Sequence, residues 1–161
     1  PDRRPSGQKF PDVCDRSRHT EGASSQVFDF LGFTHHWARS WRSGRWVVRR
    51  RTAGDRLTRS VRAINRWIRW HRHLPLEVQQ AALSRKLRGH YAYYGITGNA
   101  ERLGYFHCMV IRLWRKWLSR RSQRGRVLAN WERFQRLLSR YPLPLPVAIH
   151  SVYRQAARPL S

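Results

Sequence analysis

Two interleaved stripes run along the stretch from Asp55 to Trp70, and they admit few folds. Leu57, Val61, Ile64 and Ile68 recur at three- and four-residue steps, while Arg59, Arg62, Arg66 and Arg69 keep the same period out of phase. A strand, with its two-residue period, would scatter both sets across its two faces. An α-helix, at 3.6 residues per turn, gathers each set on its own side. The segment is therefore expected to be an amphipathic helix with one apolar face and one arginine face. Asp55 is placed to cap its start, and His71-Arg-His73 with Pro75 to end it.

The same period continues downstream. Pro75 suits the first turn of a second helix, in which Leu76, Leu83, Leu87 and Tyr91 line up and Gly95 supplies a stop. Asn99 is expected to cap a third helix with a stripe of Leu103, Phe106, Val110, Leu113 and Trp117. Arg112, Arg115, Lys116, Arg120 and Arg121 crowd its second half, where cations suit the helix dipole. Ser122–Ala129 reads as a basic connector. Asn130 opens a short fourth helix carrying Phe134, Leu137 and Leu138, and Tyr141-Pro-Leu-Pro-Leu-Pro146 must leave the helix and run extended.

Upstream the pattern changes. Val27–Thr34 and Arg45–Arg49 read as strands, with Arg42-Ser-Gly-Arg45 as the turn of a hairpin. Residues 1–26 are polar, without periodicity, and read as irregular. The expected fold is mainly α: a short N-terminal β-hairpin, then a bundle of about three long helices and one short one. The expected organisation is an irregular segment over 1–26, the hairpin over 27–51, a helical domain over 52–153 and a tail over 154–161. Burying four or five large side chains per stripe stabilises each helix by roughly 1.5–3 kcal/mol per side chain. No function follows from that alone. Because the chain begins with Pro1 rather than Met, it is expected to be a piece of a longer reading frame.

Charge narrows the function. Lys and Arg number 33 against 9 acids, a formal net charge of +24. A chain so unbalanced repels itself unless it meets a polyanion. The acids are too few to pair the arginine stripes, so these faces are expected to bind phosphate. No apolar run reaches the roughly 18 residues of a membrane span, and no membrane partner is expected. The two cysteines, Cys14 and Cys108, cannot form a disulfide framework and point to a reducing, cytoplasmic setting.

Catalytic chemistry finds little support. Two-metal phosphoryl transfer needs clustered carboxylates, and here only Asp12 and Asp15 stand close together, in the stretch read as irregular. Neither His35-His36 nor His71-x-His73 has cysteine or carboxylate neighbours at zinc-ligand spacing. Ser84 near His90, and Cys108 beside His107, carry no nucleophile motif. No catalytic residue, metal ligand or cofactor is expected within this chain.

The densest signal is Arg85-Lys-Leu-Arg-Gly-His-Tyr-Ala-Tyr-Tyr-Gly-Ile-Thr-Gly-Asn99, which joins cations, tyrosines and glycine stops. Cations meet phosphates, and aromatic faces stack on bases at about 1–3 kcal/mol each. The candidate backbone contacts are Arg59, Arg62, Arg66, Arg69, Arg85, Lys86, Arg88, His90, Arg112, Arg115 and Lys116; the candidate stacking residues are Tyr91, Tyr93 and Tyr94. Trp67 and Trp70 flank the arginine stripe, and Trp117 is expected in the core.

The order of several blocks is also familiar. Phe28-Asp-Phe-Leu-Gly-Phe-Thr-His35 resembles the last polymerase block of group II intron reverse transcriptases. Gly44-Arg-Trp-Val-Val-Arg-Arg-Arg-Thr52 looks like the strand that follows it. His73-Leu-Pro-Leu and Arg85–Asn99 are similar to that family's second thumb helix, and Leu113-Trp-Arg-Lys-Trp-Leu-Ser-Arg-Arg-Ser-Gln123 to its third. Asn130-Trp-Glu-Arg-Phe and Tyr141-Pro-Leu-Pro match its ending. The resemblance covers about residues 27–153 and implies a thumb, or maturase-specific, domain that binds intron RNA, helps it fold for splicing and grips primer–template. It places residues 27–51 at the end of a polymerase palm. Magnesium would belong to that palm, whose acidic doublet this chain lacks, and no zinc-bearing endonuclease segment is expected after the thumb.

The leading expectation is thus an RNA-binding maturase/thumb domain of a mobile-element reverse transcriptase, without polymerase catalysis of its own. Its partners would be group II intron RNA, primer–template and a palm-and-fingers segment. One alternative is a fragment of an active RNA-directed DNA polymerase completed by a palm elsewhere. Another is a non-specific basic DNA-binding protein, although the segment between the first two helices lacks the usual glycine turn of a helix-turn-helix. A degenerate, nonfunctional copy is a further alternative.

Overall fold

The computed structural model describes residues 27–40, 44–122, 124–148 and 150. The expectations for residues 1–26, for Arg42 and Ser43 in the hairpin turn, and for the tail beyond His150 lie outside them. The chain is mainly helical, as its periodicity implies. Strands β1 (Phe28–Phe30), β2 (Phe33–Arg39) and β3 (Trp46–Thr52) precede helices α1 (Gly54–Trp70), α2 (Leu76–Tyr94), α3 (Ala100–Ser119) and α4 (Trp131–Arg140). A 3-10 helix, Arg124–Ala129, occupies much of the expected basic connector.

The strands form one antiparallel sheet in the order β1-β2-β3, with Phe30 opposite Phe33 and Trp37 opposite Val48. The single strand expected over Val27–Thr34 is instead two, folded back at Leu31-Gly32. Both turn residues have positive φ, 49° and 80°, as a two-residue hairpin of the primed type requires. Leucine carries no turn signal, so the apolar run hid the break. A tertiary clamp holds the turn in place. Tyr93 Oη donates to Leu31 O at 3.0 Å, and Ala53 N to Gly32 O at 3.0 Å. A side chain at Gly32 would meet Tyr94 Oη at 3.2 Å.

The helices bury one continuous core. Leu57, Ile64 and Ile68 of α1, Leu83, Leu87 and Tyr91 of α2, and Phe134 of α4 surround α3. The buried residues of α3 are Leu103, Phe106, Val110, Trp114 and Leu118. The expected stripe through Leu113 and Trp117 is off by one residue in its second half, and both of those side chains are only partly buried. Successive positions lie 100° apart, so an apolar stripe can continue by a three- or a four-residue step; the core takes Leu118 and Trp114, whose ring lies edge-on to Phe134 of α4 at 6.2 Å.

Two expected caps act differently. Helix α1 starts after Ala53, so Asp55 lies within the first turn rather than capping it. Asn99 precedes α3 but makes no side-chain cap. Its fully buried amide instead accepts from Thr52 N at 2.9 Å and donates to Thr52 Oγ1 and Tyr94 O, each at 2.8 Å. This one side chain ties the end of the sheet to the junction of α2 and α3. Asn130 caps α4 as expected, accepting from Glu132 N and Arg133 N. Beyond α4 the proline segment runs extended along α2. Pro142 O accepts from Gln80 Nε2 at 2.7 Å, Tyr141 Oη donates to Glu77 Oε1 at 2.6 Å, and His150 N reaches Gly95 O.

Candidate nucleic-acid interface

The arginine stripe of α1 sits where its period places it. With 100° per residue, its centre lies about 160° around the helix from the Leu57–Ile64–Ile68 stripe. Arg59, Arg62, Arg66 and Arg69 are all exposed. Asp55 is shared by Arg56 and Arg59, at 3.6 and 3.9 Å. Further along the helix Arg62, Arg66 and Arg69 have no carboxylate within ion-pair distance among the described residues. The cationic face is thus left largely uncompensated by the described residues.

Helix α2 adds Arg85, Lys86 and Arg88, all exposed. Lys86 reaches back to α1, its Nζ 5.3 Å from the centroid of the Trp67 ring. His71 stacks on the same indole, centroids 4.6 Å apart, and its Nδ1 meets Trp67 O at 2.8 Å. Trp67 is therefore half-buried beneath the basic surface and holds a lysine above it. Its exposed neighbour Trp70 has 73% of its surface accessible.

The cations of α3 divide between two seams. Arg112 points away from the core and is exposed. Arg115 lies over Trp131 at 5.1 Å, at the seam with α4. Lys116 lies on the other flank, beside α1, with Nζ 5.6 Å from the Trp117 ring. Arg69 of α1 approaches that same indole at 5.7 Å. The structure thus joins Arg69 and Lys116 from distant parts of the chain and places Arg115 elsewhere.

Two of the candidates turn inward. His90 packs its ring on Phe106, centroids 3.8 Å apart, and burial pushes its pKa down to about 4. A neutral imidazole in this setting carries no charge to a phosphate. Tyr91 is 3% exposed and its hydroxyl meets His107 Nδ1 at 2.9 Å, so its face is closed to a base. Burial raises the Tyr91 pKa and lowers that of His107, keeping this pair neutral. Helical phase puts both rings on or beside the Leu83–Leu87 stripe, and packing against α3 outweighs their polar tips.

The other two tyrosines chiefly fasten the sheet to α2. Tyr94 is half-buried against Phe33, at 5.3 Å, and His90, at 4.6 Å. Tyr93 stacks on Phe33 at 6.0 Å and bonds the β1–β2 turn, yet stays 55% exposed. Of the three tyrosines, Tyr93 alone keeps an open face for a base.

Sequence reasoning missed the surroundings of Trp117. It packs against the core but is only partly buried. Its Nε1 donates to Asn65 Oδ1 at 2.7 Å, and four cations ring it: Arg69, Lys116, Arg72 at 5.9 Å and Arg120 at 5.8 Å. In sequence, Arg72 stands only as part of a helix terminator and Arg120 as a partner of the α3 dipole. The gathering needs the α1–α3 packing, which no local pattern encodes. A second unforeseen feature is the sheet face bearing Phe28, Phe30, Trp37, Trp46 and Val48, all about half exposed. Phe28 stacks on His35 at 4.8 Å there, and Arg39 lies over Trp46 at 5.5 Å.

Among the described residues no three potential metal ligands gather. No described helix is long and apolar enough to cross a membrane. No family model, curated protein or solved structure matches the chain.

Proposed function

We propose that this chain is an RNA-binding domain of the maturase/thumb type, acting on group II intron RNA and on primer–template held by a reverse transcriptase. The observation that carries the reading is the exposed arginine stripe of α1, set opposite the core stripe and short of acidic partners among the described residues. Such a face attracts phosphate strongly and loses affinity steeply with salt. Exposed cations on α2 and α3 extend it, and the resemblance of the ordered blocks over residues 27–153 favours RNA over duplex DNA.

In this reading Arg59, Arg62, Arg66, Arg69, Arg85, Lys86, Arg88, Arg112, Arg115 and Lys116 contact the backbone. Tyr93 contributes stacking on an unpaired base, the usual way proteins read RNA sequence. His90, Tyr91 and Tyr94 support the surface from beneath. Polymerase catalysis would belong to a palm-and-fingers segment, and the sheet would adjoin it.

The test is affinity for a group II intron RNA against a scrambled structured RNA of equal length, at about 50 and 200 mM salt. The reading predicts a preference for the intron RNA that persists at the higher salt. Equal affinities that collapse together would leave a general polyanion binder and overturn the maturase assignment.

A further inference from the structure

The ring of cations around Trp117 differs from an ordinary basic helix face. Its members come from three places: Arg69 from the end of α1, Arg72 from the α1–α2 turn, and Lys116 and Arg120 from the end of α3. Each charged centre lies 5.6–5.9 Å from one ring centroid. Any two therefore lie within about 12 Å of each other, at most about one and a half Debye lengths at physiological salt, where that length is roughly 8 Å. No carboxylate of the described residues is in ion-pair contact with any of the four.

Two helix ends reduce this charge without cancelling it. The carboxyl ends of α1 and α3 each contribute about −0.5 charge, against four cations. The surplus is about three positive charges. One phosphodiester neutralises one charge, so the cluster suits several phosphates held close together.

The cluster is also held in place from below. The fully buried Gln79 accepts from Trp114 Nε1 at 3.0 Å and donates to Arg72 O at 3.2 Å and Leu74 O at 2.8 Å. That fixes the turn carrying Arg72. Arg121 Nη2 donates to His73 O at 3.1 Å, tying the end of α3 to the same turn. Asn65 holds the Trp117 ring by its Nε1. Like charges kept together by such a scaffold are arranged before any ligand arrives, which lowers the ordering cost of binding.

We propose that the Trp117 cluster is a binding centre for closely spaced phosphates, of the kind a folded RNA presents where its backbone doubles back. This rests on the RNA-binding reading and adds to it the element that distinguishes folded from extended RNA. The α1 stripe supplies general affinity, while the cluster responds to local phosphate density. Free tripolyphosphate has the same chemistry and competes for the site.

The test compares a three-way-junction RNA with a polyuridine strand of equal length, using the full chain and a salt titration. Circular dichroism confirms that each variant is folded. The variant R72Q/R120Q is expected to lose on the order of tenfold of its preference for the junction, and to flatten the slope of log K against log salt by about 2. The control R62Q/R66Q, with the same loss of charge on the α1 stripe, weakens both RNAs alike. R72K/R120K restores the preference, since it keeps the charge. Tripolyphosphate displaces the junction at lower concentration than sulfate at matched ionic strength.

Equal weakening of both RNAs by R72Q/R120Q overturns the proposal while leaving RNA binding intact. Failure of the unaltered chain to bind either RNA refutes the RNA-binding reading instead. Tryptophan fluorescence then decides for the cluster. A response to tripolyphosphate over sulfate that R72Q/R120Q abolishes supports a free-phosphate site, and no such response overturns it.

Discussion

Replacing Gln79 with leucine should destabilise the protein far more than a single polar surface contact would. The side chain is 0% exposed and makes three hydrogen bonds that join α3 to the α1–α2 turn. Leucine is close in volume, so the loss is polar rather than steric. Trp114 is itself fully buried. Its indole N–H would be left unsatisfied, at about 1–3 kcal/mol. The carbonyls of Arg72 and Leu74 are nearer solvent, and water replaces part of what each loses, at about 0.5–1 kcal/mol apiece. The expected cost is therefore about 2–5 kcal/mol, and for a chain of this size a Tm lower by on the order of 10 °C. Urea unfolding followed by tryptophan fluorescence and far-UV dichroism measures it. Gln80, whose amide makes one exposed bond to Pro142 O, serves as the control, with Q80L costing under about 1 kcal/mol. If Q79L costs no more than Q80L, the turn is not held by Gln79, and the fixed geometry of the Trp117 cluster goes with it.

Asn99→Ala removes the three bonds that link Thr52, Tyr94 and the start of α3, and should cost about 2–4 kcal/mol by urea unfolding; a cost below 1 would contradict the role given to it. Gly32→Ala forces a φ of 80° on alanine and crowds Tyr94 Oη, so a loss of about 1–2 kcal/mol is expected in the same assay. Stability should fall as the pH drops below the ordinary histidine range near 6.5 towards 4. His90, with its folded pKa near 4, resists the proton that the unfolded chain takes up. Above both values it is neutral in either state and stability is independent of it. His90→Phe should flatten this dependence, and an unchanged pH profile would refute the assignment. Tyr93→Phe, losing one exposed bond to Leu31 O, should change stability by less than about 1 kcal/mol. Tyr93→Ala should weaken binding to unpaired RNA by about 1–3 kcal/mol.

The helices were legible because each repeats one period over many residues, so that the core faces of α1 and α2 could be named from sequence. Boundaries and caps were less so. Asn99 satisfies every local rule for a helix cap, yet its amide is taken up by Thr52, forty-seven residues away. The β1–β2 turn escaped notice because Leu31 adopts a positive φ, held by hydrogen bonds from Tyr93 Oη and Ala53 N that lie far away in the sequence. The candidate surface followed the same division. Exposed arginines were readable from helical phase, whereas His90 and Tyr91 share their phase with the core and turn inward. The Trp117 ring required contacts between α1 and α3, which are set by packing and leave no trace in spacing.

RNA docking on the α1 stripe is tested most directly by the salt dependence of affinity for a folded RNA, taken for the unaltered chain and for R59Q/R62Q/R66Q. Each phosphate contact contributes about 0.7–0.9 to the slope of log K against log salt. If the α1 stripe lies on the RNA, the triple variant should bind more weakly and show a slope shallower by about 2–3. An unchanged slope would mean that RNA, if bound at all, meets another face of the protein.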